Sequence, residues 1–139
     1  MEFALCCDLI LAEKNSSIGF PEITISCFPP VAAVLLPRAA QWLLFSGESI
    51  SSKRAYELGI INQLYEDESE LKTIIDRYKS FSADALRSLK SAIRKTSAFD
   101  FDKALAESER VYKEELLRSP DVVAGVKTFL EKRTKVRDP

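Results

Sequence analysis

The chain changes character at Glu66, and that change limits its fold more than any other feature. Before it, apolar segments are short and are cut by Pro21, Pro29-Pro30, Pro37, Gly47 and Gly59. Between such breakers only brief helices and strands fit. After it, charged helix formers dominate, and the interior breakers are Pro120 and Gly125. The pattern predicts helices near 69–80, 84–95, 101–118 and 121–133. The expected architecture is α/β: residues 1–65 as small mixed elements and residues 66–139 as a helical layer. A chain of 139 residues, 46% hydrophobic and 29% charged, suits one globular domain.

Within the first part, positions 3–12 read as a helix running into a short strand, Leu9, Ile10 and Leu11 suiting a strand covered on both faces. Asn15, Ser16 and Ser17 make a turn. Residues 18–20 read as a second strand ended by Pro21, and Ile23-Thr24-Ile25 as a third. Pro29-Pro30 starts a helix through V-A-A-V-L-L that Pro37 stops. The apolar piece at 41–46 ends at Gly47, Ser51 or Ser52 caps a helix that closes on Gly59, and 60–64 return as a strand. Strands are therefore expected only within about 8–27 and 60–65.

In the second part, Phe101, Ala104, Leu105, Ser108, Val111, Tyr112 and Leu116 recur at helical spacing, with Glu109/Lys113 and Glu114/Arg118 as ion pairs on the opposite face. Ser119-Pro120 reads as an N-cap followed by proline at the first helical position. Val122, Val126, Phe129 and Leu130 form one apolar stripe, expected to pack against the rest of the domain.

Composition excludes several functions. The formal net charge is −1, which lacks the basic footprint of a nucleic-acid binder. There is no histidine, hence no Ser-His-Asp or Cys-His nucleophile and no His-ligated metal within the chain. Four unclustered glycines rule out a phosphate-cradling loop. Cys6, Cys7 and Cys27 have no metal-type spacing and read as reduced core thiols. Apolar runs fall well short of the roughly 18 residues of a membrane span, and an acid stands where a signal peptide carries bases, so a cytoplasmic protein is expected.

Two carboxylates are out of place. Glu2 opens the apolar segment F-A-L-C-C, and Glu22 follows Pro21 in an otherwise apolar run. Acidic residues are rarely buried unless paired or used, and a desolvated carboxyl is suited to proton transfer. The pair is a candidate acid/base site. A second reading stays open on residue types alone: Glu2 on the wet face of a short helix and Glu22 on a loop.

The series E-F-A-L-C-C-D-L-I-L-A, S-I-G-F-P-E-I, L-P-R, F-S-G-E-S-I-S-S-K-R-A-Y-E-L-G-I-I-N-Q-L and G-V-K-T-F-L-E-K-R resembles the crotonase (enoyl-CoA hydratase/isomerase) superfamily in order and spacing. The resemblance covers nearly the whole chain but only about the C-terminal half of a typical member. The chain also opens on hydrophobic helix without a polar lead-in, as one entered in the middle would. The resemblance implies a crotonase-type fold, with 1–65 the remnant of a ββα core and 66–139 a helical oligomerisation region.

It also implies hydratase chemistry. The family's first active-site glutamate falls on Glu2 and its second on Glu22, the two holding a water that adds across the double bond of an acyl-CoA thioester. The family's two oxyanion-hole N–H donors would lie before Met1. T-F-L-E-K-R places Phe129 and Lys132 against the adenosine and phosphate of coenzyme A bound to a neighbouring subunit, and residues 127–139 carry five basic and two acidic side chains. Coenzyme A is part of the substrate; no separate cofactor, metal, nucleic acid or membrane is implied. A trimer or a hexamer is expected.

Two departures matter. P-P-V-A-A-V-L-L replaces a glycine-rich P-G-x-G-G-T segment, and the interval between L-P-R and F-S-G-E is shorter than usual, so the family's pocket shape does not carry over. The F-P-P-V-A-x-x-L-P-R form resembles hydratases of alicyclic dienoyl-CoA esters from anaerobic aromatic degradation. Isomerase, hydrolase or decarboxylase chemistry on the same scaffold, and a non-catalytic truncated fragment serving as an oligomerisation module, are the alternatives.

Overall fold

Residues 1–96 and 100–135 are described by the computed structural model. Among them are four strands of three residues each, in two separate pairs. β1 (Leu11–Glu13) lies parallel to β4 (Gln63–Tyr65), with Ala12 opposite Leu64. β2 (Ser17–Gly19) lies antiparallel to β3 (Ser49–Ser51), with Ile18 opposite Ile50.

Side chains reinforce both pairings. Ahead of β1, Ile10 N–H donates to Asn62 Oδ1 at 2.7 Å while Asn62 N–H donates to the Ile10 carbonyl at 2.9 Å. Beyond it, Lys14 N–H donates to the Tyr65 carbonyl at 2.9 Å, and Lys14 pairs with Glu66. The fully buried Ser52 donates its hydroxyl to the Lys14 carbonyl at 2.7 Å, and its N–H to that of Ser16 at 2.9 Å. Residues 10–16 and 52–66 are thus fastened together across the intervening elements.

Those elements are short, as the breakers require. α1 (Glu2–Leu5) is a single turn, Pro21–Ile25 a 3-10 turn, and α2 (Pro30–Leu35) begins at Pro30. α3 (Trp42–Ser46) ends on Gly47 at φ +68°, the left-handed conformation that glycine adopts most easily. α4 (Ser52–Glu57) is capped by the Ser51 hydroxyl, which accepts from Arg54 N–H at 3.2 Å, and Gly59 follows it at φ +76°. The core is built from Phe20, Ala32, Leu36, Ala40, Leu43, Ala55, Ile60 and Ile61.

The second part is helical. α5 (Glu68–Lys79) is capped by Asp67, whose carboxyl is held below the usual carboxylate range by the Ser69 hydroxyl and the Glu70 N–H. α6 (Ala83–Thr96) follows, with Leu86, Leu89 and Ile93 exposed on it, and Lys90 of this helix pairs with Asp8. α7 (Phe101–Arg110) continues as a π turn over Val111–Glu115 and a 3-10 turn over Leu116–Arg118. α8 (Pro120–Lys135) then closes the chain, with Ser119 Oγ accepting from Asp121 N–H at 3.3 Å.

Several sequence expectations are corrected. Residues 3–12, expected as a helix running into a strand, are helical only to Leu5, and the strand is Leu11–Glu13 rather than the run from Leu9, which is 43% exposed. With only β4 beside it, β1 has no second covered face to hold an apolar run. Ile23-Thr24-Ile25 lies in the 3-10 turn and not in a strand, because Pro21 fixes φ at the first helical position and Thr24 Oγ1 turns back to the Pro21 carbonyl at 2.7 Å. β3 falls outside the expected strand ranges, its S-I-S sequence having been read only as a helix cap. Cys6 and Cys7 are exposed free thiols beyond the single turn of α1, whereas Cys27 is buried. The helix expected over 101–118 is interrupted by the π turn: Glu109 pairs with Lys113 at 2.7 Å as expected, but Glu114 turns to Arg110 at 3.4 Å. One extra residue per turn puts Glu114 and Arg118 out of phase. The apolar stripe of α8 is covered only at its start, Val122 being buried and Phe129 44% exposed.

Candidate active site

Glu2 and Glu22 stand on different elements, α1 and the 3-10 turn. Glu2, in α1, accepts through Oε1 from the N–H groups of Val31 at 2.6 Å and Ala32 at 3.0 Å. These are among the first donors of α2, which have no partner within their own helix. Pro29, at the N-cap position, offers no side-chain acceptor, so a carboxylate far away in sequence performs that role. The wet-face alternative for Glu2 is thereby set aside: the side chain is half-buried and spent on backbone donors.

Glu22 is held differently. It stands second in the 3-10 turn, which closes through Cys27 N–H to the Glu22 carbonyl at 3.0 Å and through Ser26, a non-glycine residue at φ +62°. That left-handed conformation costs on the order of 1–3 kcal/mol and persists only where surrounding structure enforces it. Here α8 does so. A Cβ added at Gly125 would stand 2.6 Å from the Ile25 carbonyl oxygen, so only glycine lets the helix come this close. In the same turn, Glu22 Oε2 is buried without a hydrogen-bond partner, and it is the one side-chain oxygen or nitrogen in that condition among the described residues. Buried polar atoms are rarely left so, and an exception calls for a functional account.

Both carboxylates bear electrostatically on Tyr112. The π turn carries its ring onto Phe28, edge to face, with centroids 5.2 Å apart. Nearby, Ser108 Oγ donates to the Pro30 carbonyl at 3.0 Å and ties α7 to the start of α2. The phenol lies beside the Cys27 thiol, and its pKa is raised above the ordinary value: first by the hydrogen bond with Cys27, then by burial, then by the charges of Cys27, Glu2 and Glu22. Among the described residues no group of acidic or thiol side chains could hold a metal ion.

Sequence reasoning missed Tyr112, Cys27 and Gly125 as parts of this region. One signal was present for Tyr112, a polar tip on an otherwise apolar helical face. Phe129 lies toward the far end of α8 and does not join the two glutamates, and the Lys132 side chain lies outside the described residues.

Residues 1–137 match the family model for enoyl-CoA hydratase/isomerase. The chain belongs to that family. It is 36% identical over 141 residues to cyclohexa-1,5-dienecarbonyl-CoA hydratase of Thauera aromatica, covering 96% of this chain and 55% of that protein. To 2,3-dehydroadipyl-CoA hydratase of Escherichia coli it is 28% identical over 142 residues, covering 96% and 55%. The crystal structure of an enoyl-CoA hydratase from Mycobacterium avium subsp. paratuberculosis superposes with a TM-score of 0.81 at 27% identity, covering 94% of this chain and 56% of that one. The fold is thus of the crotonase type, and the chain spans about half the length of the curated relatives it matches. No helix among the described residues is long and apolar enough to cross a membrane.

Proposed function

We propose that this chain supplies the acid/base half of a cytoplasmic hydratase that adds water to a 2-enoyl-CoA or alicyclic dienoyl-CoA thioester, with Glu2 and Glu22 as the paired carboxylates. The observation that carries the reading is the buried, unpartnered Oε2 of Glu22. In this reaction one carboxylate takes a proton from water as the water oxygen bonds to the β-carbon. The electrons of the double bond move toward the α-carbon and the thioester oxygen, and the other carboxyl group delivers a proton to the α-carbon. Coenzyme A enters only as part of the substrate, and no metal or further cofactor takes part. The alicyclic class is favoured by the 36% identity to a cyclohexadienecarbonyl-CoA hydratase.

The reading makes the rest of the relatives' length essential. Oxyanion stabilisation is a large contribution, about a hundred- to a thousandfold in kcat for one donor, and the segment of the relatives expected to supply it is not within these residues. The 139-residue chain alone is expected to show no hydration of crotonyl-CoA or a cyclic dienoyl-CoA ester, followed as loss of thioester absorbance at neutral pH. Completed to the length of its relatives, it is expected to turn over and to elute as a trimer or hexamer, with the exposed apolar residues of α6 supporting assembly. Robust turnover by the 139-residue chain would remove the need for the missing segment. A completed protein that is folded yet inactive would favour the oligomerisation-module reading.

Phe129 and Lys132 are proposed to hold the adenosine and phosphate of coenzyme A. The net positive charge of residues 127–139 favours an anionic ligand. In the completed protein, Lys132→Ala is expected to raise KM for the thioester with kcat little changed, the signature of lost uniform binding. An unaltered KM would leave the lysine as a solvated tail residue.

A further inference from the structure

We propose that Gly47 is a positioning residue of the site: having no side chain, it lets the end of α3 lie directly against the 3-10 turn over Pro21–Ile25 and so fixes the backbone that carries Glu22. The inference rests on the two-glutamate reading above and adds to it a residue that acts only through its neighbours.

Ending a helix explains only part of this glycine. Gly47 N–H donates to the Leu43 carbonyl at 3.0 Å, and the residue stands at φ +68°, which closes α3. Gly59 follows α4 in the same way at φ +76°, yet a Cβ added there would meet nothing within 4 Å. A left-handed helix end therefore does not by itself require the space around the glycine to be full. At Gly47 it is full. An added Cβ would stand 2.9 Å from Ile23 Cγ2, 3.1 Å from Thr24 Cγ2 and 3.8 Å from Pro21 Cα. Pro21 and Ile23 are the immediate neighbours of Glu22 in the chain.

The obstructing atoms cannot simply step aside. Both are methyl groups of β-branched side chains, whose χ1 is stiff. Thr24 is fixed further, because its Oγ1 donates to the Pro21 carbonyl at 2.7 Å and turning the methyl away would break that bond. A side chain at position 47 must therefore be accommodated by the backbone of the turn. That backbone is already held elsewhere: Gly125 of α8 meets the Ile25 carbonyl, and Ser26 is kept at φ +62°. Gly47 and Gly125 thus hold the turn at different residues. Since Glu22 Oε2 has no hydrogen bond of its own, its place is set by this backbone. Proton transfer needs the carboxylate within hydrogen-bond reach of its water, and a misplacement of about 1 Å can cost about a hundredfold in rate.

The test uses the protein completed to the length of its relatives, with crotonyl-CoA as the probe. Gly47→Ala and Gly59→Ala impose the same left-handed strain on alanine, but only the first adds a Cβ against the turn. Both are expected to lower Tm. Gly59→Ala should keep kcat within about twofold of the parent, whereas Gly47→Ala should lower it about ten- to a hundredfold with KM within about twofold, the pattern of lost transition-state alignment. Adding Ile23→Leu and Thr24→Ser to Gly47→Ala removes both obstructing methyls and keeps the hydroxyl that bonds Pro21. There kcat should return to within about threefold of the Ile23→Leu/Thr24→Ser protein, while Tm stays below that of the same protein because the strain at residue 47 remains. Equal kcat in Gly47→Ala and Gly59→Ala, or a loss that the methyl deletions do not reverse, overturns the positioning role and leaves Gly47 as a helix terminator. Parental kcat in Glu22→Gln overturns the two-glutamate reading itself, whereas an inactive Glu22→Gln beside an unaffected Gly47→Ala overturns only the role of Gly47. If Gly47→Ala does not fold, Gly47→Asn and Gly59→Asn replace the alanine pair and the same comparison decides, asparagine carrying the same Cβ while tolerating left-handed backbone.

Discussion

Glu22→Gln, in the completed protein, is expected to lower kcat by about a hundred- to ten-thousandfold, the range general acid–base catalysis contributes. Glutamine has the shape of glutamate and can occupy the same buried position, but it cannot accept a proton from water or return one to carbon. Because Glu22 Oε2 has no hydrogen-bond partner, the substitution breaks no bond at that atom, and the fold should be retained. Glu2→Gln is expected to cost comparable activity with an additional structural effect. Its Oε1 receives the Val31 and Ala32 N–H groups. An amide oxygen can still accept them, but without the full negative charge that favours a helix N-terminus by about 0.3–1 kcal/mol. A small fall in Tm is therefore expected for Glu2→Gln and none for Glu22→Gln, with activity read by loss of thioester absorbance and stability by thermal circular dichroism. Full activity in both variants would end the two-carboxylate mechanism.

Gly125→Ala is expected to destabilise the chain even though alanine is the better helix former. Propensity alone would favour the change by about 1 kcal/mol. Against this, the new Cβ would lie 2.6 Å from the Ile25 oxygen and 2.9 Å from its carbonyl carbon, both backbone atoms of a closed turn. Neither can swing aside as a side chain would, so α8 must withdraw, and overpacking of this kind costs about 1–3 kcal/mol. The balance predicts a Tm lower by a few degrees, measurable in the 139-residue chain itself. In the completed protein kcat should fall as well, because α8 would withdraw from the turn that carries Glu22. A Tm above that of the parent would mean that helix and turn do not meet as described.

The sequence was informative wherever a residue type has one dominant physical meaning. Pro30 at the start of α2, Gly47 and Gly59 beyond α3 and α4, Ser51 as a cap and the change at Glu66 all occur where backbone chemistry put them. It was silent where meaning depends on a distant partner. S-I-S at 49–51 is a strand only because S-I-G at 17–19 lies beside it, and nothing within three residues announces that pairing. Cys6 and Cys7 resemble core thiols until α1 is seen to be a single turn, beyond which both are exposed. For the site, the two glutamates were conspicuous as charges in apolar runs, but what each does was not. That Glu2 caps another helix, and that α8 packs on the turn bearing Glu22, are facts of tertiary approach. Tyr112 was hidden for a further reason: helical counting at 3.6 residues per turn put it on a packing stripe, and the π turn that changes its surroundings has no sequence signature in such counting.

The contact between Gly125 and Ile25 has a consequence for biosynthesis. A chain emerges from the ribosome N-terminus first, so the turn bearing Glu22 is made well before the helix that packs on that turn. Strand β1 likewise waits for β4, and non-local pairings of this kind bear their loop-closure entropy before any contact compensates for it. The packing of α8 on that turn therefore cannot be complete until Gly125 has been made, whereas both strand pairs can form well before it. In this chain the turn that carries Glu22 gains its contact with α8 only after the strand pairs can have formed.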